Sequence, residues 1–233
     1  MSWGSWVLIL VYPASILLIL TYIRQGYPKL AALLEGVPYG KLAIDLTERW
    51  RTPIAWANIV LAVFLGIYTG ILLSAFSARP FWNTGLLGPL FLVSGLSSAA
   101  ALAVLGARMS QESHLFARID TGLVSLELVI IALLLISLAS GNQVQLAALG
   151  QLFGGDFTLL FWGGLIGFGL AAPLLLELVG FRWHQAWLMW LPPVMVLIGG
   201  YLLRHIAVDL GQETTWVQYT NPYNTELWKL IPR

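Results

Sequence analysis

The stretch TGLVSLELVIIALLLISLA (Thr121–Ala139) decides the fold. It is apolar or small almost throughout and carries one ionisable side chain, Glu127. A hydrocarbon core about 30 Å thick is crossed by an α-helix of about 20 apolar residues, and this stretch has that length. Further runs of the same kind are Trp6–Ile23, Ile54–Phe76, Leu86–Leu105, Leu159–Leu178 and Trp187–Val208. Lipid offers backbone N–H and C=O groups no hydrogen bonds, so such runs satisfy their own backbone as helices. The sequence therefore reads as an all-α, polytopic membrane helical bundle with six transmembrane helices.

Composition agrees. The 233 residues are 58% hydrophobic and 10% charged, with a mean hydropathy of +0.81, against about 25% charge in a soluble domain. The spans leave room for one bundle, over 1–212, and a polar, aromatic tail, over 213–233. A net charge of +1 argues against nucleic acid as a partner; membrane lipid is the surrounding partner. The absence of cysteine excludes disulfides, thiolate-bound iron–sulfur clusters and cysteine-rich zinc sites, and no metal is expected in this chain. The first segment lacks a basic n-region and a small-residue cleavage site, so it reads as a retained helix.

Loop charge sets the orientation. Arg24, Lys29, Lys41, Arg49 and Arg51 lie in loop 24–53, Arg108 and Arg118 in 106–119, and Arg182 in 179–186. The opposite side has Arg79, then Arg204, Lys229 and Arg233, and no basic residue in 140–156. The positive-inside rule places the richer side in the cytoplasm and both termini outside it. Residues 28–50 form the long inter-helix loop, with Lys29–Gly36 as a short amphipathic turn of helix before Val37-Pro38-Tyr39-Gly40. Gly163 and Gly167 are spaced for close helix packing. Beyond Asp209, Trp216, Tyr219, Tyr223 and Trp228 suit a membrane interface.

An ionisable group inside a span is costly and is a functional candidate by default. Asp120 and Glu127 share a face of the fourth span, about 10 Å apart along its axis. Glu177 lies near the end of the fifth. Together they read as a proton relay reached from the cytoplasm. Structural pairing, Asp120 with Arg118 or Glu177 with Arg182, is the alternative for these two carboxylates, which lie near the cytoplasmic surface, with Glu127 deeper. Glu127, with apolar residues on both sides, is harder to explain that way. Arg204, His205 and Asp209 end the last span; His205 and Asp209 are placed to face each other, and Arg204 can complement the helix dipole and snorkel to the interface. Tyr68, within Gly66-Ile67-Tyr68-Thr69-Gly70, offers a hydroxyl in the outer half of the second span, as a donor to a carbonyl or as a packing tyrosine.

The histidines are His114, His184 and His205, the first two in loops. That set is too small for a pair of bis-histidine haems, and no haem is expected. P-loop, HExxH and nucleophile-elbow patterns are absent.

The run IYTGILLSAFSARPFWNTGLLGPLFLVSGLSSAAAL (Ile67–Leu102) resembles the core of the NrfD/PsrC family, the membrane subunits of polysulfide-reductase-like molybdenum and iron–sulfur complexes. Tyr68, small residues, then Arg79-Pro80-x-Trp82-Asn83 carry the pattern. Arg118-Ile119-Asp120 with Leu126-Glu127, Leu160–Glu177 with Pro173, Gly199-Gly200-Tyr-Leu-Leu-Arg204, and Gly211-Gln212 follow in the family's order. The opening Met1-Ser2-Trp3-Gly4-Ser5-Trp6 is similar to a motif at the head of the family's third helix, which implies a further pair of helices ahead of Met1.

The resemblance implies a quinone-reactive membrane anchor without haem, in the inner (plasma) membrane of a prokaryote. It would exchange electrons between menaquinone or ubiquinone and a docked iron–sulfur subunit, beside a molybdopterin catalytic subunit. The quinone-contacting tyrosine of the family falls on Tyr68. Quinone-binding candidates are Tyr68, Arg79, Trp82, Asn83, Arg204 and His205, and Tyr68, Asp120, Glu127 and Glu177 are the candidates for the chemistry. Such chemistry needs a donor at the ring carbonyl and groups that exchange protons with water. A proton or ion transporter built on the same carboxylates, or a purely structural anchor, are the alternatives; a visible inverted repeat, expected of many transporters, is missing.

Overall fold

The computed structural model describes residues 3–76, 78–107, 110–180 and 187–214, and the side chains of these except at 110, 180 and 187–189. Every regular element among them is helical. Six helices are long and apolar enough to cross a membrane: Trp3–Gly26, Arg51–Ser74, Leu87–Gly106, Gln111–Ala139, Leu159–Val179 and Trp190–Glu213. These are the six spans read from the sequence. The chain is a multi-pass membrane protein and divides into two compact units, Met1–Tyr68 and Thr69–Arg233.

The first unit holds α1 (Trp3–Gly26), α2 (Pro28–Glu35), α3 (Gly40–Arg49) and most of α4 (Arg51–Ser74). The stretch read as a loop is thus two short helices. Proline opens α2, where its missing N–H costs nothing. The chain then reverses through Tyr39, at φ 69°, and Gly40. A Cβ at Gly40 would strike the Leu34 backbone, so a larger residue cannot make this turn. Ile23, Ala31 and Ile44 form a small core under the turn. Asn58 of α4 donates to the Ala14 carbonyl of α1 at 2.9 Å, one polar tie between two otherwise apolar spans.

The second unit holds α5 (Leu87–Gly106), α6 (Ser110–Ala139), α7 (Gln143–Phe153), a π-helix (Leu159–Ala171) that runs into α8 (Ala172–Gly180), and α9 (Trp187–Glu213). Its core includes Leu87, Leu90, Val124, Leu138, Leu165 and Leu210. Helix α6 starts well before the apolar run, so His114 sits in its first turns rather than in a loop. Helix α7 lies in the stretch read as a connection. Asn142 caps it, accepting from Gln145 N, while Gln145 Oε1 accepts from Asn142 N; this reciprocal cap ties down two backbone donors.

Close packing falls on other glycines than the sequence spacing indicated. With i→i+5 bonding, residues five apart come round to one side. Gly164 then faces Leu202, and Gly169 packs backbone to backbone with Gly199 of α9, while an added Cβ at Gly163 would meet only the Leu159 side chain, at 3.5 Å. The α-helical spacing of Gly163 and Gly167 does not apply inside a π-helix. The aromatic tail, from 215 on, and Arg182 and His184 lie outside the described residues.

Candidate functional site

Asp120, Val124 and Glu127 project from one face of α6 into the second unit, at 0%, 0% and 1% exposure. The spacing i, i+4, i+7 puts them on one stripe. Opposite, α5 presents Ser94 and Ser97, both fully buried. Ser97 donates to Asp120 Oδ1 at 2.6 Å. From α8, buried Glu177 reaches Thr121, with Thr121 Oγ1 and Glu177 Oε2 2.6 Å apart. The Asp120 and Glu177 carboxyl groups are near enough to act on each other electrostatically. Two residues far apart in sequence are thus brought into one layer between α6 and α8.

The Thr121 hydroxyl also lies 2.9 Å from the Ala117 carbonyl oxygen. A hydroxyl has a single proton to donate but can also accept. With Glu177 ionised, Thr121 donates to it. With Glu177 protonated, Glu177 donates to Thr121, and Thr121 donates to Ala117 O. The contact survives either protonation state.

Glu127 forms a second layer, with Ser94 beside it and the Arg204 guanidinium within electrostatic reach. Arg204 does not end its helix: α9 continues to Glu213. Its side chain turns back, donating to Gly200 O at 2.7 Å, and its guanidinium lies near Gly95 of α5, where an added Cβ would meet it at 3.7 Å. The residue is exposed, and its charge lies within electrostatic reach of Glu127. Asp120 Oδ2, Glu127 Oε1, Glu177 Oε1 and Ser94 Oγ are all buried. Asp120 and Glu177 stand within hydrogen-bonding reach of each other, as do Glu127 and Ser94; two facing carboxyls bond only when one of them carries a proton, which sets the first pair apart from an ordinary structural pair.

The other candidates fall elsewhere. Arg79 donates to the carbonyls of Gln212 and Thr214, at the C-terminal end of α9. Trp82 donates to Ala207 O at 2.7 Å, and its indole lies over Gly211, where a Cβ would strike the ring. Both side chains latch the segment before α5 onto the end of α9, where a cation also meets the negative end of the helix dipole. Asn83 is exposed, its backbone N–H bonded to Arg79 O at 3.1 Å. His205 Nδ1 lies 2.8 Å from Asp209 Oδ2, as the i, i+4 spacing indicated, and stacks on Tyr201 with centroids 6.0 Å apart. Tyr68 belongs to the first unit. It is half-buried, its ring edge-on to Trp3 at 5.1 Å and lying where a Cβ on Gly4 would be. Sequence reasoning missed Ser94, Ser97 and Thr121. Their signal was present, as hydroxyls at helical spacing inside apolar spans.

An all-helical, multi-pass membrane protein that buries carboxyl groups in its interior is a restricted class. A family model described as polysulphide reductase, NrfD, matches residues 1–215, and the chain belongs to that family. It is 36% identical to Protein NrfD of Escherichia coli over 67% of this chain and 52% of that protein. It is 30% identical to a polysulfide reductase chain of Wolinella succinogenes, over 76% of this chain and 60% of that one. Against a selenate reductase subunit of Mesobacillus selenatarsenatis the identity is 29%, over 70% and 40%. The chain thus spans about half the length of the curated relatives it matches. No solved structure matches it significantly.

Proposed function

We propose that this chain is the quinone-reactive membrane subunit of a multi-subunit oxidoreductase, exchanging electrons between the quinone pool and an iron–sulfur partner that serves a molybdopterin catalytic subunit. The reading rests on family membership and on relatives named as constituents of polysulfide and selenate reductases. The single observation that carries it is the set of buried carboxyls within the apolar helices, Asp120, Glu127 and Glu177. A quinol, when bound, gives up a pair of electrons and a pair of protons, and a quinone takes them up.

The residues present fit that demand. Tyr68, on an aromatic wall with Trp3, supplies a phenol that can donate to a ring carbonyl. The carboxyl layers supply groups able to hold a proton away from bulk water, with Ser97 and Thr121 orienting them. Electrons leave for the iron–sulfur partner, and protons pass between Glu127 and the Asp120–Glu177 layer. Arg204, beside Glu127, biases where the proton rests. Arg79 and Trp82 hold the segment before α5 against the end of α9. The loop charges favour both termini outside the cytoplasm, and family membership supports a prokaryotic inner membrane.

Quinol-linked turnover of the assembled complex tests the reading. Tyr68→Phe removes one hydroxyl and little volume, so the complex should assemble. A lost hydrogen bond of about 0.5–1.5 kcal/mol lowers turnover by about 2- to 13-fold, and by more if the bond is made chiefly in the transition state. Unchanged turnover with unchanged quinone affinity removes Tyr68 from the site.

A further inference from the structure

The α2–α3 hairpin of the first unit joins two membrane-spanning helices, so it sits at a membrane surface. Its charges are segregated. Arg24, at the end of α1, binds Glu35, Asp45 and Glu48, each at 2.8 Å. Apart from this cluster the hairpin and its flanks carry only cations: Lys29, Lys41, Arg49 and Arg51. None of the four makes an ion pair among the described residues. Every acidic group of the segment is thus drawn to Arg24, and the remaining charge is positive.

The apolar side chains are segregated as well. Ala31 and Ile44 close the small core with Ile23. The far sides of the two helices carry Leu30 and Leu33 on α2, then Leu42 and Leu46 on α3, at 47%, 70%, 56% and 49% exposure. In α3, Leu42, Leu46 and the following Trp50 recur every fourth residue and form one stripe. An open groove along the start of α2 is lined by Tyr27, Leu30 and Leu33 with Lys29 at its edge. A short helix with an apolar stripe flanked by lysine and arginine is the pattern of an interfacial amphipathic helix.

We propose that the α2–α3 hairpin is an anionic-phospholipid binding surface. It lies in the headgroup plane with Leu30, Leu33, Leu42 and Leu46 in the acyl boundary and Lys29 and Lys41 on the phosphates. Arg24 makes this possible by neutralising carboxylates that a negative membrane surface would otherwise repel. A protein partner with an acidic, apolar face is the competing occupant. The charge pattern and the attachment to two spans favour lipid, because the hairpin cannot leave the membrane plane.

Cysteine is absent from the sequence, so a single introduced thiol reports one position of this chain, and the wild-type complex taken through the same labelling supplies the background from partner subunits. Leu33→Cys and, separately, Leu42→Cys would be labelled with a fluorophore in the full-length protein, purified with the partners it assembles with. The protein would be reconstituted into nanodiscs of phosphatidylcholine alone or with one-third phosphatidylglycerol. Both labels should be quenched by brominated acyl chains and shielded from aqueous iodide. Lys29→Gln and Lys41→Gln should each lower the phosphatidylglycerol retained by the protein in native mass spectrometry by about fivefold. Labels open to iodide and untouched by brominated lipid would overturn the proposal, as would labels shielded from both, which would mean that protein covers the face. Equal retention of phosphatidylglycerol by the wild type and both lysine variants would overturn its electrostatic part.

Discussion

Replacing Glu127 with glutamine should cost far more turnover than replacing Asp120 with asparagine. The layers explain why. Asp120 shares its layer with Glu177, which keeps its own hydroxyl partner, Thr121. Losing proton exchange at Asp120 leaves a second carboxyl within the same layer. Glu127 is fully buried and stands about two helical turns away along α6, with Ser94 and Arg204 acting on it more strongly than Asp120 does. A positioned acid–base group contributes about 10²–10⁴-fold. Glu127→Gln should therefore lower quinol-linked turnover by at least about 100-fold, and Asp120→Asn by less than about tenfold. The double variant Asp120→Asn with Glu177→Gln empties the layer and should fall to the level of Glu127→Gln. Glutamine keeps the size of the side chain, and its amide can donate to Ser94 Oγ, so the fold should tolerate it. The assay is turnover of the assembled complex across pH, with subunit amounts matched by immunoblot. Wild-type rates for Glu127→Gln at every pH would refute the relay and leave Glu127 a structural residue.

Gly169→Ala places a Cβ 2.5 Å from the Gly199 Cα and should cost about 1–3 kcal/mol of stability, read as a fall in Tm in detergent. Gly163→Ala, whose added carbon would meet only a flexible leucine side chain, should stay close to wild type in the same measurement. Trp82→Phe removes the bond to Ala207 O and should lower stability by about 0.5–1.5 kcal/mol; a Tm equal to wild type would discard the proposed latch on α9. A reporter active only outside the cytoplasm, fused after Arg233, should be active, and a cytoplasmic reporter at the same point should be silent; the reverse pattern would invert the orientation.

The spans were legible because membrane crossing is set by length and apolarity, and both are read directly from a run such as Thr121–Ala139. The carboxylates were legible because charge is scarce there. Their company was not. Asp120 and Glu177 lie on α6 and α8, and only the packing of those helices brings them to one layer. Arg204 was placed at a helix end because the apolar run stops near Val208. The helix continues to Glu213 through polar residues that Arg79 and Trp82 hold in place. Helix α7 hid between spans, although Asn142 and Gln145 carry its capping signal. The π-helix had no periodic signature, because its change of register moves the contact from Gly163 and Gly167 to Gly164 and Gly169.

The most direct test of the central claim is electron exchange itself. The complex that includes this protein would be purified, its iron–sulfur clusters poised oxidised, and a quinol added under anaerobic conditions while cluster reduction is followed by electron paramagnetic resonance. Reduced-cluster signals should appear with quinol, disappear when excess quinone is added, and form more slowly in the Tyr68→Phe complex. Clusters that dithionite reduces but that neither quinol nor quinone affects would contradict the account.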